Sequence, residues 1–205
     1  MIYDHIKDLG LKVIVEAGGN IGTDTVKLCD MFPEATIHTL EPLKILREHI
    51  LMFEKENLKL YEDAFNTYTG STRFFIDMNP AGLHGASSIL EVSEHYLSYV
   101  GKEKEIVVPC ITLSDFMDRE KIEHIDFLWL DIEMMEYNVL KASKRRLKDI
   151  DNIYTEISYS NFREGQPEPD DIHFLLIDNG FTRIFIESQG SEDFAWQANA
   201  LYRRK

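Results

Sequence analysis

A strand that breaks abruptly into glycines and then into a helix constrains this chain more than any other feature. Lys12-Val-Ile-Val-Glu16 is β-branched and apolar, Ala17-Gly-Gly-Asn-Ile-Gly22 follows, and residues 23–32 place Val26, Leu28, Cys29 and Phe32 at mostly helical spacing. Glycines let a chain turn sharply and let backbone N–H groups approach a ligand closely. The start of the next helix adds free N–H donors and the positive end of its dipole. Thr23 or Thr25 is the expected cap of that helix. Pro33 is its expected stop, because proline disfavours helix in the residue before it.

The alternation continues downstream. Residues 35–40 and 58–64 read as strands, with a helix over 43–55 between them. Residues 72–76 form an added strand, 77–88 a loop rich in Gly, Pro and Asn, and 91–100 a short helix or irregular stretch. The run 105–111 is a strand whose Pro109 places it at a sheet edge. Then come a helical turn over 113–119, a buried strand over 125–130, a helix over 135–143 and a strand over 152–157. A helix over 170–179 closes at Gly180, a favoured residue just past a helix end, and 182–187 and 198–203 are the last strands. Strands alternating with helices imply an α/β fold with a mainly parallel sheet covered on both faces. With 205 residues, 44% of them hydrophobic, residues 1–205 are expected to form a single domain around one core.

Charge narrows the partners. Asp and Glu number 36 against 22 Lys and Arg, a net −14 that repels phosphate backbones and anionic membranes. The basic clusters Lys144-Arg145-Arg146 and Arg203-Arg204-Lys205 read as solvated surface. No nucleic-acid or membrane partner is expected. Cys29 and Cys110 lie far apart in apolar surroundings and read as buried free thiols, and no zinc-ligand spacing is present. Residues 1–12 lack a signal-peptide core, and no apolar run is long enough to span a bilayer, so a cytoplasmic location is expected.

The glycine turn does not have the G-x-G-x-x-G spacing of dinucleotide-binding folds. Glu16-x-Gly18-x-Asn20-x-Gly22 instead resembles the D/E-x-G-x-G-x-G turn of Rossmann-like methyltransferases, with Asn20 in the middle glycine slot. Asn is among the residues that best tolerate positive φ. Glu41 stands at the carboxyl end of the second strand, about 20 residues past the turn, where a carboxylate can accept hydrogen bonds from both ribose hydroxyls.

Further segments make the resemblance more specific. Glu41-Pro42, Thr112-Leu-Ser-Asp115 and Asp131-Ile-Glu133-Met134-Met-Glu136-Tyr-Asn-Val139-Leu140-Lys-Ala142 follow the glycine turn in order. Together they resemble the FkbM-type methyltransferases, from about residue 13 to residue 142. The sequence departs from the family's pattern at Met134, where a glycine is usual, at Trp129, where lysine is common, and at Glu16, where aspartate is usual.

The resemblance implies a class I methyltransferase fold, a seven-stranded, mostly parallel sheet with an antiparallel last strand. It implies S-adenosylmethionine as cofactor and O-methylation of a small molecule such as a sugar or secondary metabolite. The cofactor-binding set it implies is Glu16, Gly18, Asn20, Gly22, Glu41, Asp63, Ala64 and Asp131, with Asp63-Ala64 at the adenine amine.

Asp131 faces either the methionine amino group or the acceptor, and Glu133 is a base or acceptor anchor. Glu136 shares their helical face or, like them, caps the following helix. His84 in the glycine-rich loop is a further base candidate, and Glu156 at the end of the fifth main strand is another acid near the mouth. Trp129, Tyr154 and Trp196 read as packing. No metal ligands are assigned. The competing classes are a nicotinamide-dependent oxidoreductase, for which no S/T…Y-x-x-x-K set is present, and a non-catalytic cofactor-binding protein.

Overall fold

A computed structural model describes residues 1–79, 84–94, 96–97, 102–191 and 194–205. Ten strands and six α-helices are described: α1 Tyr3–Ile6, β1 Val13–Ala17, α2 Thr23–Met31, β2 Thr36–Leu40, α3 Lys44–Leu51, β3 Leu58–Tyr61, β4 Ala64–Phe65, β5 Gly70–Asp77, β6 Glu103–Ile111, α4 Leu113–Glu120, β7 Ile125–Leu130, α5 Glu136–Ala142, β8 Ile150–Ser158, α6 Pro169–Asp178, β9 Phe181–Ser191 and β10 Phe194–Arg204. A 3₁₀ turn, Lys144–Asp149, links α5 to β8.

Seven strands form one sheet in the order β3-β2-β1-β7-β8-β10-β9. β1, β2, β3, β7 and β8 are parallel, and β10 runs antiparallel to both β8 and β9. This is the class I methyltransferase architecture that the motifs implied. The order reverses at β1, where chain order first runs outward to β3 and then inward to β7. The carboxyl ends of β1, β2 and β7 therefore frame a crevice, the usual ligand position in such sheets.

Two cores hold the layers together. One face of the sheet packs Val15, Leu128, Ile153 and Ala200 with Phe116, Val139, Leu140 and Leu176 from α4, α5 and α6. The other packs Ile14, Ile37, Phe127 and Leu201 with Ile6, Leu28 and Cys29 from α1 and α2. Strand residues alternate between the two sets, as the period of two requires. Val139 and Leu140 of the family-like segment are fully buried, so that part of the motif is core.

Several expectations are corrected. The helix after the glycine turn is capped by Gly22 at φ 84° with no side-chain cap; Thr25 is buried and donates to Glu16 instead of capping. The run 58–64 splits in two, because β4 leaves the main sheet for a second one of order β4-β6-β5. There β6 is the middle strand and not an edge. Its partner β4 reaches only Cys110 and Ile111, so Pro109 still has one side without a strand and its missing N–H is tolerated. The helix after residue 43 ends at Leu51, earlier than its apolar pattern suggested. Trp196 is 43% exposed and is not a packing residue, whereas Trp129 and Tyr154 are buried and meet at 4.6 Å.

Cys29 and Cys110 are free and buried, as expected. Among the described residues no helix is long and apolar enough to cross a membrane. Part of the expected loop 77–88 and of the stretch 91–100 lies outside the described residues.

Candidate functional site

The crevice is closed by backbone bonds between strand ends. The Gly18 and Gly19 amides both donate to the Leu40 carbonyl, at 3.0 and 3.2 Å, and the Asp131 amide donates to the Ala17 carbonyl at 3.1 Å. Gly18 has φ 92° and Asn20 φ 45°, so the turn uses the left-handed region twice. The result is a cleft of about 650 Å³ including its open mouth.

Its walls divide by chemistry. Leu43, Leu46, Ala64, Phe74 and Ile89 make an apolar side. Glu41, Asp63, Asp131 and Glu133 bring four carboxylates, and no Lys or Arg lines the cleft among the described residues. Gly18, Asn20 and His84 also line it.

Glu41 is 5% exposed, and its two oxygens accept from the Asn20 amide (2.9 Å) and the Leu43 amide (2.8 Å). Those bonds fix the carboxylate while leaving further acceptor positions. Burial pushes its carboxyl up to about 7, opposed by the two amides, Arg47 and His84. Asn20 Oδ1 is buried without a partner, an acceptor waiting for a donor. Asp63 sits at the far end of the apolar side, held by Arg119 Nη2 at 2.8 Å.

Two of the anticipated residues lie outside the lining. Glu16 is 1% exposed and accepts from Thr25 Oγ1 (2.6 Å) and Thr39 Oγ1 (2.7 Å) beneath the turn. Gly22 faces Ile50, and a Cβ there would lie 2.9 Å from Ile50 Cγ1. Both shape the turn from behind.

At the opposite end the chain leaves β7 through Asp131, then Glu133 and Met134 at φ 54° and 75°. The left-handed Met134 explains why glycine is usual there, since a side chain at positive φ is strained. Asp131 is exposed to the open cleft; the walls around it, then the Asp24 charge, push its carboxyl up to about 6. The half-buried Glu133 is pushed to about 8 by desolvation and Asp131, against Arg163. Ser88 Oγ donates to the Glu133 carbonyl at 2.7 Å and holds this bend.

Glu136 does not cap α5, which has no side-chain cap; its buried carboxylate reaches back, Oε1 accepting from the Ile132 amide at 2.8 Å, and braces the bend before the helix. Thr112-Leu-Ser-Asp115 is a true cap, with Thr112 Oγ1 accepting from the Asp115 amide at 3.0 Å. His84 Nδ1 lies 2.6 Å from the Asp77 carbonyl. A carbonyl only accepts, so Nδ1 carries a proton, and in the neutral ring the lone pair is on Nε2.

Sequence reasoning did not foresee Arg163, a large, fully buried side chain that ties the loops beside the cleft together. Its guanidinium donates to Glu103 Oε1 at 2.5 Å, to the Leu90 carbonyl at 3.1 Å and to the Ala86 carbonyl. A lone arginine in a polar loop carries no periodic signal that could have flagged it.

Fold and cleft define a class I methyltransferase scaffold. The chain belongs to the family described as the methyltransferase FkbM domain, which it matches over residues 16–183. A similar curated protein is the 2-O-methyltransferase NoeI of Sinorhizobium fredii, 28% identical over 167 residues, covering 75% of this chain. That match spans 66% of the relative's own length.

Among solved structures, the magnesium protoporphyrin IX methyltransferase of Synechocystis PCC 6803 with bound SAH is similar at 11% identity and TM-score 0.53, covering 100% of this chain and 78% of that one. Aeropyrum pernix fibrillarin in complex with S-adenosyl-L-methionine is similar at 10% identity and TM-score 0.53, covering 94% of this chain and 66% of that one. At such identities these two bear on the fold alone.

Proposed function

We propose that this chain binds S-adenosylmethionine in the cleft and transfers its methyl group to an oxygen of a small-molecule acceptor such as a sugar or secondary metabolite. The observation that carries this reading is the lining: four carboxylates, an apolar wall and, among the described residues, no Lys or Arg. That chemistry suits a cofactor bearing sulfonium and ammonium charges beside an adenosine. Its carboxylates repel the pyrophosphate of a nicotinamide dinucleotide, for which no Lys or Arg of the described lining offers a partner. Family membership and the relative's printed activity support the same reading.

In this reading Glu41 accepts from the two ribose hydroxyls, and Asp63 and Ala64 meet the adenine edge. Gly18 gives the ligand close access to the turn, and Asn20 Oδ1 gains a donor. Bound there, the cofactor supplies an electrophilic methyl on sulfur for in-line transfer. The protein supplies alignment and the electrostatics around it. Asp131 and Glu133 hold the acceptor end, and His84 Nε2 is the neutral nitrogen available to take the hydroxyl proton.

Calorimetric titration with S-adenosylhomocysteine, with NAD as control, tests the reading. Micromolar binding is expected for the former and none for NAD. Glu41→Ala is expected to weaken it about 100-fold, the loss of two hydrogen bonds to a charged acceptor. A folded sample that binds neither ligand would exclude the methyltransferase.

A further inference from the structure

Three carboxylates converge at the acceptor end of the cleft. β7 and β8 are parallel neighbours, with Leu130 in register with Thr155. Asp131 and Glu156 are each the next residue along, so they stand side by side at the same sheet edge. Glu133 returns to them because the left-handed bend at Glu133 and Met134 folds the chain back. One carboxylate oxygen from each of the three lies within 4.8 Å of the others.

Among the described residues no Lys, Arg or His forms an ion pair with any of the three carboxylates. The nearby cation Arg163 is committed to Glu103 and to two carbonyls. Glu156 is 8% exposed and its Oε2 is buried with no hydrogen-bond partner, although the Gln197 side chain serves the carboxyl elsewhere. A buried carboxylate oxygen without a donor is costly, and native structures normally give it a partner. Glu136 does not fill this role, because its own oxygen is taken by the Ile132 amide.

We propose that Asp131, Glu133 and Glu156 bind one hard divalent cation, of the Mg²⁺, Mn²⁺ and Ca²⁺ kind, at the acceptor end of the cleft. An all-oxygen, all-carboxylate set selects such ions over zinc or copper. Three protein ligands leave coordination positions open, and Asp131 and Glu133 line the cleft, so those positions are placed for oxygen atoms of the acceptor. The cation site rests on its own geometry; only its role in holding the acceptor rests on the methyl-transfer reading.

Mn²⁺ titration followed by electron paramagnetic resonance tests the site on the whole chain without added cofactor. One Mn²⁺ per chain is expected, displaced by Mg²⁺ or Ca²⁺. Glu156→Gln and Glu133→Gln should each weaken it at least tenfold, with circular dichroism confirming the fold. Asp151→Asn should leave it unchanged; that residue belongs to a separate surface group with His124 and Asp126. No stoichiometric binding, or binding that survives both glutamine variants, overturns the proposal, as does binding removed by Asp151→Asn. A parallel titration with S-adenosylhomocysteine separates the two readings. Cofactor binding without Mn²⁺ binding overturns the cation site alone, and Mn²⁺ binding without cofactor binding overturns the methyltransferase reading alone.

Discussion

A Cβ placed on Gly18 would lie 1.8 Å from the carbonyl oxygen of Asp131, a backbone atom that cannot swing aside. The first residue of the glycine turn and the first residue after β7 are thus in backbone contact, and the floor of the cleft exists because one of them has no side chain. Gly18→Ala would also impose a side chain at φ 92°. The strain at positive φ costs about 1 kcal/mol, and the overlap forces β1 and β7 apart at their ends. A total loss of about 3 kcal/mol or more is expected, lowering Tm by roughly 6–12 °C. Binding of S-adenosylhomocysteine should be abolished. Thermal unfolding within about 2 °C of the parent would contradict this account.

Asp63 tests the direction in which the ligand lies. It is the polar group beside the apolar wall, and its partner Arg119 is partly exposed and can rehydrate. If Asp63 accepts from the adenine amine, Asp63→Ala should weaken S-adenosylhomocysteine roughly tenfold, one hydrogen bond to a charged acceptor. S-inosylhomocysteine, which lacks the amine, should bind both proteins alike. Equal losses for the two ligands would place the adenine elsewhere.

Much of this site was legible because strand ends are legible. Glu41 and Asp131 each end an apolar run, and parallel sheets bind ligands at that edge. Glu16 ends a run too, yet it is not in the lining. It lies in register with Thr39, and both side chains point beneath the turn, where Thr39 donates to it. One residue of register decides which side of a strand an acid takes, and the glycine pattern alone does not reveal it. β4, two residues long, is too short to show any period, so the second sheet was invisible. The meeting of Glu156 with Asp131 required knowing that β7 and β8 are neighbours, a fact of tertiary structure.

Glu16 makes stability depend on pH. Burial pushes its carboxyl up to about 7, with Asp24 and Asp131 adding to the rise and the Thr25 and Thr39 hydroxyls opposing it. A raised carboxyl means that the folded chain favours the protonated form. Its stabilising contribution is therefore fully present below the unfolded value near 4.5 and is lost as pH rises through about 7. Glu16→Gln mimics the protonated acid and does not titrate. The stability of the variant relative to wild type should rise between pH 5 and pH 8, by up to about 3 kcal/mol. Urea unfolding at the two pH values measures this, and a constant difference would show that Glu16 stays ionised throughout.

Met134 sets two effects against each other. Its backbone at φ 75° favours glycine, but its side chain is 3% exposed and lines a small pocket with Glu156, Ile157 and Ile172. Removing a buried methionine side chain costs about 2–5 kcal/mol, and relieving the left-handed strain returns about 1 kcal/mol. Both Met134→Ala and Met134→Gly should therefore be less stable than wild type. Alanine loses the packing and keeps the strain, whereas glycine loses the packing and sheds the strain. The glycine variant should accordingly be the more stable of the two by about 1 kcal/mol, the reverse of the usual order in helices and strands. Chemical denaturation of the pair decides it: if alanine proves more stable, the bend after Glu133 is not held in the left-handed region, and the convergence of Glu133 with Asp131 and Glu156 loses its backbone basis.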